Sequence, residues 1–284
     1  MTYQCFDFSI SNKIAHLRLN RPATLNTMQP VFFKELAGIL QDLQNQANAR
    51  VLVISSSGKH FTAGMALDVF AGGGISLDDV TAIGRANIAL ALKDMQHAFN
   101  LIESLRMPVI SAIHGGCIGG GVDMICASDI RLASSDAFFC IQEINIGMTA
   151  DLGTLQRLPK LIPEGIVHEM AYTGRRLPAA RALAVGLVNE VFDTQEAMLE
   201  AALHMAAEIA EKPPVAIWGS KQAIHYARDH STHDALQQMG WLQSGIWQSA
   251  NLMEAFMAKQ QGRPTAYADL APVGSFSEAA YQLK

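Results

Sequence analysis

Two carboxylates stand eight positions apart in CIQEINIGMTAD, residues 140–151. Glu143 and Asp151 are the only charged side chains in a stretch otherwise made of apolar, small or neutral groups. An ionised carboxylate buried without a partner is costly, and no Lys or Arg lies in the segment. Either the acids face water or a site uses them. Two carboxyls held in an apolar setting can divide the work of proton transfer, one ionised and one protonated. A third acid, Asp123, follows a glycine run in GGGVDMICA. An acid in the first turn of a helix starting near Gly120 is also favoured by the helix dipole alone, so Asp123 by itself carries both readings.

The glycines of GGCIGGG at 115–121 invite comparison with nucleotide-binding loops, but no G-x-G-x-x-G can be drawn through them and no Gly-Lys-Ser/Thr follows. They fit a tight turn with close backbone packing. They also fit a second use: glycines just ahead of a helix expose backbone N–H groups that no helical carbonyl satisfies, and such donors can hold a developing oxyanion. FTAGMALD at 61–68 has the same character, a small-residue turn after a strand.

These groups need elements to hold them. IAHLRL at 14–19 alternates like a half-buried strand, and NRPATLN then turns the chain. Phe32, Leu36, Ile39, Leu40 and Leu43 fall at helical spacing between Met28 and Ala47. VLVIS at 51–55, VISAI at 109–113 and IRLA at 130–133 read as strands, 77–105 and 121–127 as helices. The glycine cluster at 72–74 reads as a mobile loop. Strands alternating with helices indicate an α/β domain with crossover connections. After about residue 195 only helical patterns remain, among them PVAIWGSKQAIHYARD and HDALQQMGWLQSGIWQSANLMEAFMAKQ. Trp241 and Trp247 give that section large apolar faces for closing the core or meeting another subunit.

Composition narrows the class. Of 284 residues, 50% are hydrophobic and 17% charged, as in a well-packed soluble protein, and a net charge of −5 argues against nucleic-acid binding. No apolar run reaches membrane-spanning length, and MTYQCFDFSISNK lacks the form of a secretory signal. Cys5, Cys117, Cys126 and Cys140 form no C-x-x-C pair, which points to buried reduced thiols. His225, His230 and His233 are spaced wrongly for one metal-binding face. His114 reads as a hydrogen-bonded core histidine. No G-x-S-x-G elbow is present. Arg175, Arg176 and Arg181 fit a solvated edge or a contact with an anionic ligand.

Together these segments resemble the enoyl-CoA hydratase/isomerase (crotonase) superfamily. The resemblance rests on LNRPATLN at 19–26, FTAGMALD at 61–68, PVISAIHGGCIGGGVDM at 108–124, SDIRLAS at 128–134, LGTLQRLPKLI at 152–162 and YTGRRLPAARALAVGLVNEVF at 172–192. It spans nearly the whole chain in order. It implies an α/β spiral of repeated ββα turns over 1–195 and a helical trimerisation region over 196–284, giving a homotrimer or a dimer of trimers. It implies an acyl-CoA thioester substrate, with no metal or redox cofactor. The family's oxyanion hole maps onto the backbone N–H groups of Met65 and Gly120, with Ala63, Gly64, Ala66 and Leu67 as further substrate contacts.

Within the superfamily, hydratases carry two glutamates at the positions of Asp123 and Glu143 and usually a glycine at that of Asp151. The three-acid set here is similar to the Δ3,5-Δ2,4-dienoyl-CoA isomerases. It implies a 1,5-proton shift: Glu143 or Asp151 takes a proton from C2, the other returns one at C6, and Asp123 tunes the pair. The alternatives are a 2-enoyl-CoA hydratase and a non-catalytic acyl-CoA-binding protein of the same fold. With no organelle address in the sequence, the expected location is the cytoplasm.

Overall fold

The computed structural model describes residues 2–69 and 80–274. The glycine cluster at 72–74 therefore lies outside the described residues. A hairpin opens the chain: β1 (Phe6–Ser11) pairs antiparallel with β2 (Ile14–Leu19) across Asn12 and Lys13, both at positive φ. Helix α1 (Pro30–Gln46) follows, started by Pro30 at its first position, where a missing N–H costs nothing. β3 (Val51–Ser56) then enters the sheet parallel to β2, and α2 (Ala82–Ser104) leads on to β4 (Val109–Ile113).

Short β5 (Gly116–Ile118) and α3 (Gly120–Cys126) come next, then β6 (Ile130–Ser134) and β7 (Phe138–Cys140). The chain continues through α4 (Thr154–Arg157), α5 (Glu164–Thr173), β8 (Leu177–Pro178), α6 (Ala179–Ala184) and β9 (Glu190–Phe192). Among the described residues one sheet runs β1-β2-β3-β4-β6-β9, parallel from β2 onward, and a small second sheet runs β5-β7-β8. From β4 onward the chain alternates between the two sheets, with β5 between β4 and β6, and β7 and β8 between β6 and β9, as in the expected α/β spiral.

The large sheet is buried on both faces, as parallel strands usually are. Leu52, Ile54, Val109, Ile113 and Ala133 face the main core with α1, α2 and α3. Val51, Val53, Ile110, Ala112 and Leu132 face α7 (Gln195–Ala210) through Met198, Ala202 and Ala206. The loss of strand signals near 195 thus marks the start of a helix that covers the sheet.

Helices α8 (Pro214–Asp229), α9 (Thr232–Ile246) and α10 (Ser249–Gln261) complete the described part. The helical pattern at 233–260 is two helices, broken where Trp247 turns extended. A buried cation ties α8 to the spiral: Lys221 Nζ donates to Asp129 (2.8 Å) and to the Met107 carbonyl (3.1 Å). Among the described residues no helix is long and apolar enough to cross a membrane.

Candidate active site

The FTAG turn and the glycine turn are built against each other. Thr62 pairs with β5, its N–H donating to Gly116 O and its carbonyl accepting from Ile118 N. The Thr62 hydroxyl donates to Asn26 O (2.7 Å) and accepts from Gly64 N (3.1 Å), fixing the turn from inside. Gly64 adopts φ +83°, and a Cβ there would stand 2.8 Å from the Ile118 carbonyl oxygen. Gly119 adopts φ +54° just before α3. Only glycine tolerates both the conformations and the approach.

Two donors result. Met65 follows Gly64, and Gly120 follows Gly119. Among the described residues neither the Met65 N–H nor the Gly120 N–H donates to a protein acceptor, whereas Gly64, Ala66 and Gly119 all do. Both residues line a cavity of about 520 Å³ together with Ala63, Gly64 and Leu67. Ala66 does not: its side chain is buried and its N–H bonds Met28 O. The bridge of Met28 to Met65 turns Ala66 inward, so it supports the turn without meeting the cavity.

Glu143 and Asp151 line the same cavity, beside Ile118, Gly119, Gln142 and Met148. Glu143 begins a 3-10 turn, Glu143–Ile146, closed by Gly147 in the left-handed region. One carboxylate oxygen, Oε1, stands 3.0 Å from where a Gly119 Cβ would be. The other, Oε2, is buried with no hydrogen-bond partner among the described residues. Asp151 enters from the loop before α4. The Gln96 side chain on α2 donates to its carbonyl at 2.7 Å.

Asp123 stands behind them. It is 1% exposed and does not line the cavity, and its Oδ1 accepts from Thr154 N at 2.6 Å. Its carboxyl is pushed up to about 6, chiefly by burial, against the hydrogen bonding of Thr154 and with the charge of Asp151 adding to the rise. Burial first, and then the charges of Asp123 and Asp151, push Glu143 up to about 7. Burial raises Asp151 as well. The three titrations are therefore coupled: ionising one makes the next harder.

The strip is less enclosed than its composition implies. Ile144 (43% exposed) and Ile146 (44%) are exposed, as is Asn145 between them, because the 3-10 turn after Glu143 lies at the surface. Ile146 still lines the cavity edge, and Ala150 and Leu152 are buried.

The model of the enoyl-CoA hydratase/isomerase family matches residues 9–263. The chain belongs to that family. Within it, the chain is 42% identical over 265 residues to the human mitochondrial Δ(3,5)-Δ(2,4)-dienoyl-CoA isomerase, covering 90% of this chain and 78% of the relative. It is 37% identical to the peroxisomal enzyme of that name from Arabidopsis thaliana, covering 91% and 94%. Among solved structures, the enoyl-CoA hydratase of Bacillus anthracis superposes with a TM-score of 0.84 at 28% identity, covering 93% and 99%.

These relatives overturn the expected cytoplasmic location: the similar dienoyl-CoA isomerases are named mitochondrial or peroxisomal. Addresses are read by receptors from dedicated segments and leave no trace in a family's fold, composition or active site.

Other residues singled out in the sequence find partners elsewhere, and one of them lines the cavity. His114 is buried, with Nε2 2.9 Å from Gly58 O. The four cysteines are free and buried. His225 faces Asp129, His230 stacks on Tyr226, and His233 meets Gln237. Of the three arginines, Arg181 pairs with Glu169, whereas Arg176 lines the cavity with its guanidinium 4.2 Å above the Phe138 ring.

Two positioning groups escape sequence reasoning. Gln96 reaches Asp151 across 55 residues, and Arg157, near Asp123, is held by Glu103 (2.9 Å) and Asn100 (2.5 Å) on α2. Neither has a spacing that marks it.

Proposed function

We propose that this protein converts 3,5-dienoyl-CoA to 2,4-dienoyl-CoA during the oxidation of unsaturated fatty acids, by a 1,5-proton shift across the Glu143–Asp151 pair. The thioester oxygen accepts hydrogen bonds from Met65 N–H and Gly120 N–H. Glu143, beside the glycine turn, takes the proton from C2. The negative charge spreads through the thioester and both double bonds, and Asp151 delivers a proton to C6. Glu143 ends protonated and Asp151 ionised, and the proton returns between them before the next turnover. A base with a pKa near 7 is matched to neutral pH. Each oxyanion donor contributes about a hundredfold to a thousandfold in rate.

The observation that carries this reading is the placement of Asp151 on the cavity wall with Glu143, while Asp123 lies behind it. A hydratase holds its water between acids at positions 123 and 143. Here the first of these does not reach the cavity, which disfavours hydration. Incubation with 3,5-octadienoyl-CoA is expected to raise the absorbance of the conjugated dienoyl thioester. Parallel incubation with 2-octenoyl-CoA is expected to give far slower hydration. Faster hydration than isomerisation would make the protein a hydratase, and no turnover of either a binding protein.

Residues 196–284 are not one oligomerisation region, because α7 packs on the large sheet; we assign oligomerisation to α9 and α10. Leu236, Trp241, Trp247 and Phe256 on or between α9 and α10 are exposed in the single chain, Trp241 by 79%. Apolar side chains of that size, left exposed on consecutive helices, point to protein contacts. Sedimentation is expected to give the mass of three or six chains, and the mass of one chain would reject the assignment.

A further inference from the structure

Helix α2 carries three polar side chains on one face, Gln96, Asn100 and Glu103, spaced by four and then three residues. All three grip the segment that brings Asp151 to the cavity. Gln96 holds the Asp151 carbonyl at 2.7 Å. Asn100 Oδ1 accepts from Arg157 Nη2 at 2.5 Å. Glu103 Oε2 accepts from Arg157 Nε at 3.0 Å and from Nη2 at 2.9 Å, and its Oε1 accepts from Arg228 Nη2 at 2.6 Å. Arg228 belongs to α8, so one carboxylate joins three elements. The side chains of Arg157 and Glu103 are 11% and 20% exposed, and solvent ions screen such a pair weakly. Burial alone would raise the Glu103 carboxyl, but the charges and hydrogen bonds of Arg157 and Arg228 hold it below the usual carboxylate range.

The guanidinium so fixed rests on Gly153. A Cβ added there would collide with Arg157 Nη1, and the Gly153 carbonyl accepts from Arg157 N at 3.0 Å. Gly153 lies two residues after Asp151 and directly before Thr154, whose N–H donates to Asp123 at 2.6 Å. Among the described residues no other side chain donates to the Asp151 carboxylate, so its backbone sets its place. That backbone is held by Gln96 at one point and by Arg157 two residues on. Resting on the dienoyl-CoA reading, we infer that Glu103 is a positioning residue of the isomerisation: it locks Arg157 on the Gly153 turn and thereby aims Asp151 at C6. Glu103 does not line the cavity and acts only through Arg157. Without its charge, two guanidiniums lose the anion they share, and Arg157 leaves the turn. A displacement of about 1 Å in a reacting group costs on the order of a hundredfold in rate. Glu143 and the N–H groups of Met65 and Gly120 belong to other segments and keep their places.

Glu103→Gln keeps the shape of the side chain and removes the charge. In the full chain, kcat for 3,5-octadienoyl-CoA is expected to fall about tenfold to a hundredfold, with KM changed less than about twofold. Deuterium exchange at C2, the step of Glu143, should keep the wild-type rate. A general weakening of the fold would not confine the loss to the step of Asp151. Should Glu103→Gln fail to fold, Asn100→Ala takes its place: it removes another partner of Arg157, and a smaller loss in the same direction is expected. Unchanged kcat in the variant so tested, or equal losses of exchange and isomerisation, overturns the inference. Amide hydrogen exchange measures the hold apart from the reaction. The Thr154 N–H should exchange faster in the variant than in the wild type, and the amides of β4 at the same rate in both. Faster exchange at Thr154 together with a wild-type protein that isomerises no dienoyl-CoA would reject the reaction reading and leave the clamp standing. Equal protection of Thr154 in the two proteins would reject the clamp.

Discussion

Asp151→Asn is expected to slow isomerisation of 3,5-octadienoyl-CoA by a hundredfold to ten-thousandfold, the usual worth of a positioned general acid, with little change in acyl-CoA affinity. The substitution keeps the shape of the side chain. It leaves the Asp151 carbonyl on Gln96 and the Met65 and Gly120 N–H groups untouched. What it removes is the proton for C6. The first half of the reaction then survives: Glu143 still exchanges the C2 proton, so substrate recovered from deuterated water should carry deuterium at C2. Glu143→Gln should lose exchange and isomerisation together. Exchange lost in Asp151→Asn but kept in Glu143→Gln would reverse the two roles. A normal isomerisation rate in Asp151→Asn would remove that residue from the chemistry.

The acids were readable in the sequence because charge is rare where they stand, and the glycine turns because their spacing fits no nucleotide loop. Helices of three turns or more and four of the strands were readable from periodicity. Strand β1 carries little core signal: Phe6, Phe8 and Ile10 alternate with polar residues, but only Phe6 is buried. Strands β5, β7 and β9 span three residues each, too few to display a period. Their pairing brings Thr62 to β5 and so sets the two oxyanion donors side by side, a contact between distant segments that no local pattern encodes. The depth of Asp123 was equally hidden. A sequence position in the first turn of a helix fits either a solvated cap or a buried acid, and packing of α3 against the start of α4 at Thr154 decides for burial.

That burial makes Asp123→Asn stabilising at alkaline pH. The carboxyl ionises near 3.8 in the unfolded chain and near 6 in the folded protein. Below 3.8 both states hold the proton and the group is neutral to stability. Between the two values the folded state keeps a proton that the unfolded state has lost, so stability falls as pH rises. Above 6 the penalty is complete, and two pKa units correspond to roughly 3 kcal/mol. Asn can still accept from Thr154 N and carries no charge to bury. The variant should therefore unfold at a higher temperature than the wild type at pH 8, with the gap closing near pH 4. A gap of equal size at both pH values would mean that the charge of Asp123 is not the cause. The same substitution reaches the reaction through Glu143, whose carboxyl is held near 7 in part by the charge of Asp123. Without that charge Glu143 ionises more readily, and the acid limb of kcat/KM against pH should move to lower pH. A merely structural Asp123 would change stability and leave the limb in place, so the pair of measurements separates a scaffold role from a tuning role. The physical trade is then explicit: the fold accepts a destabilising carboxylate behind the cavity, and the proton-accepting acid in front of it is held near neutral pH.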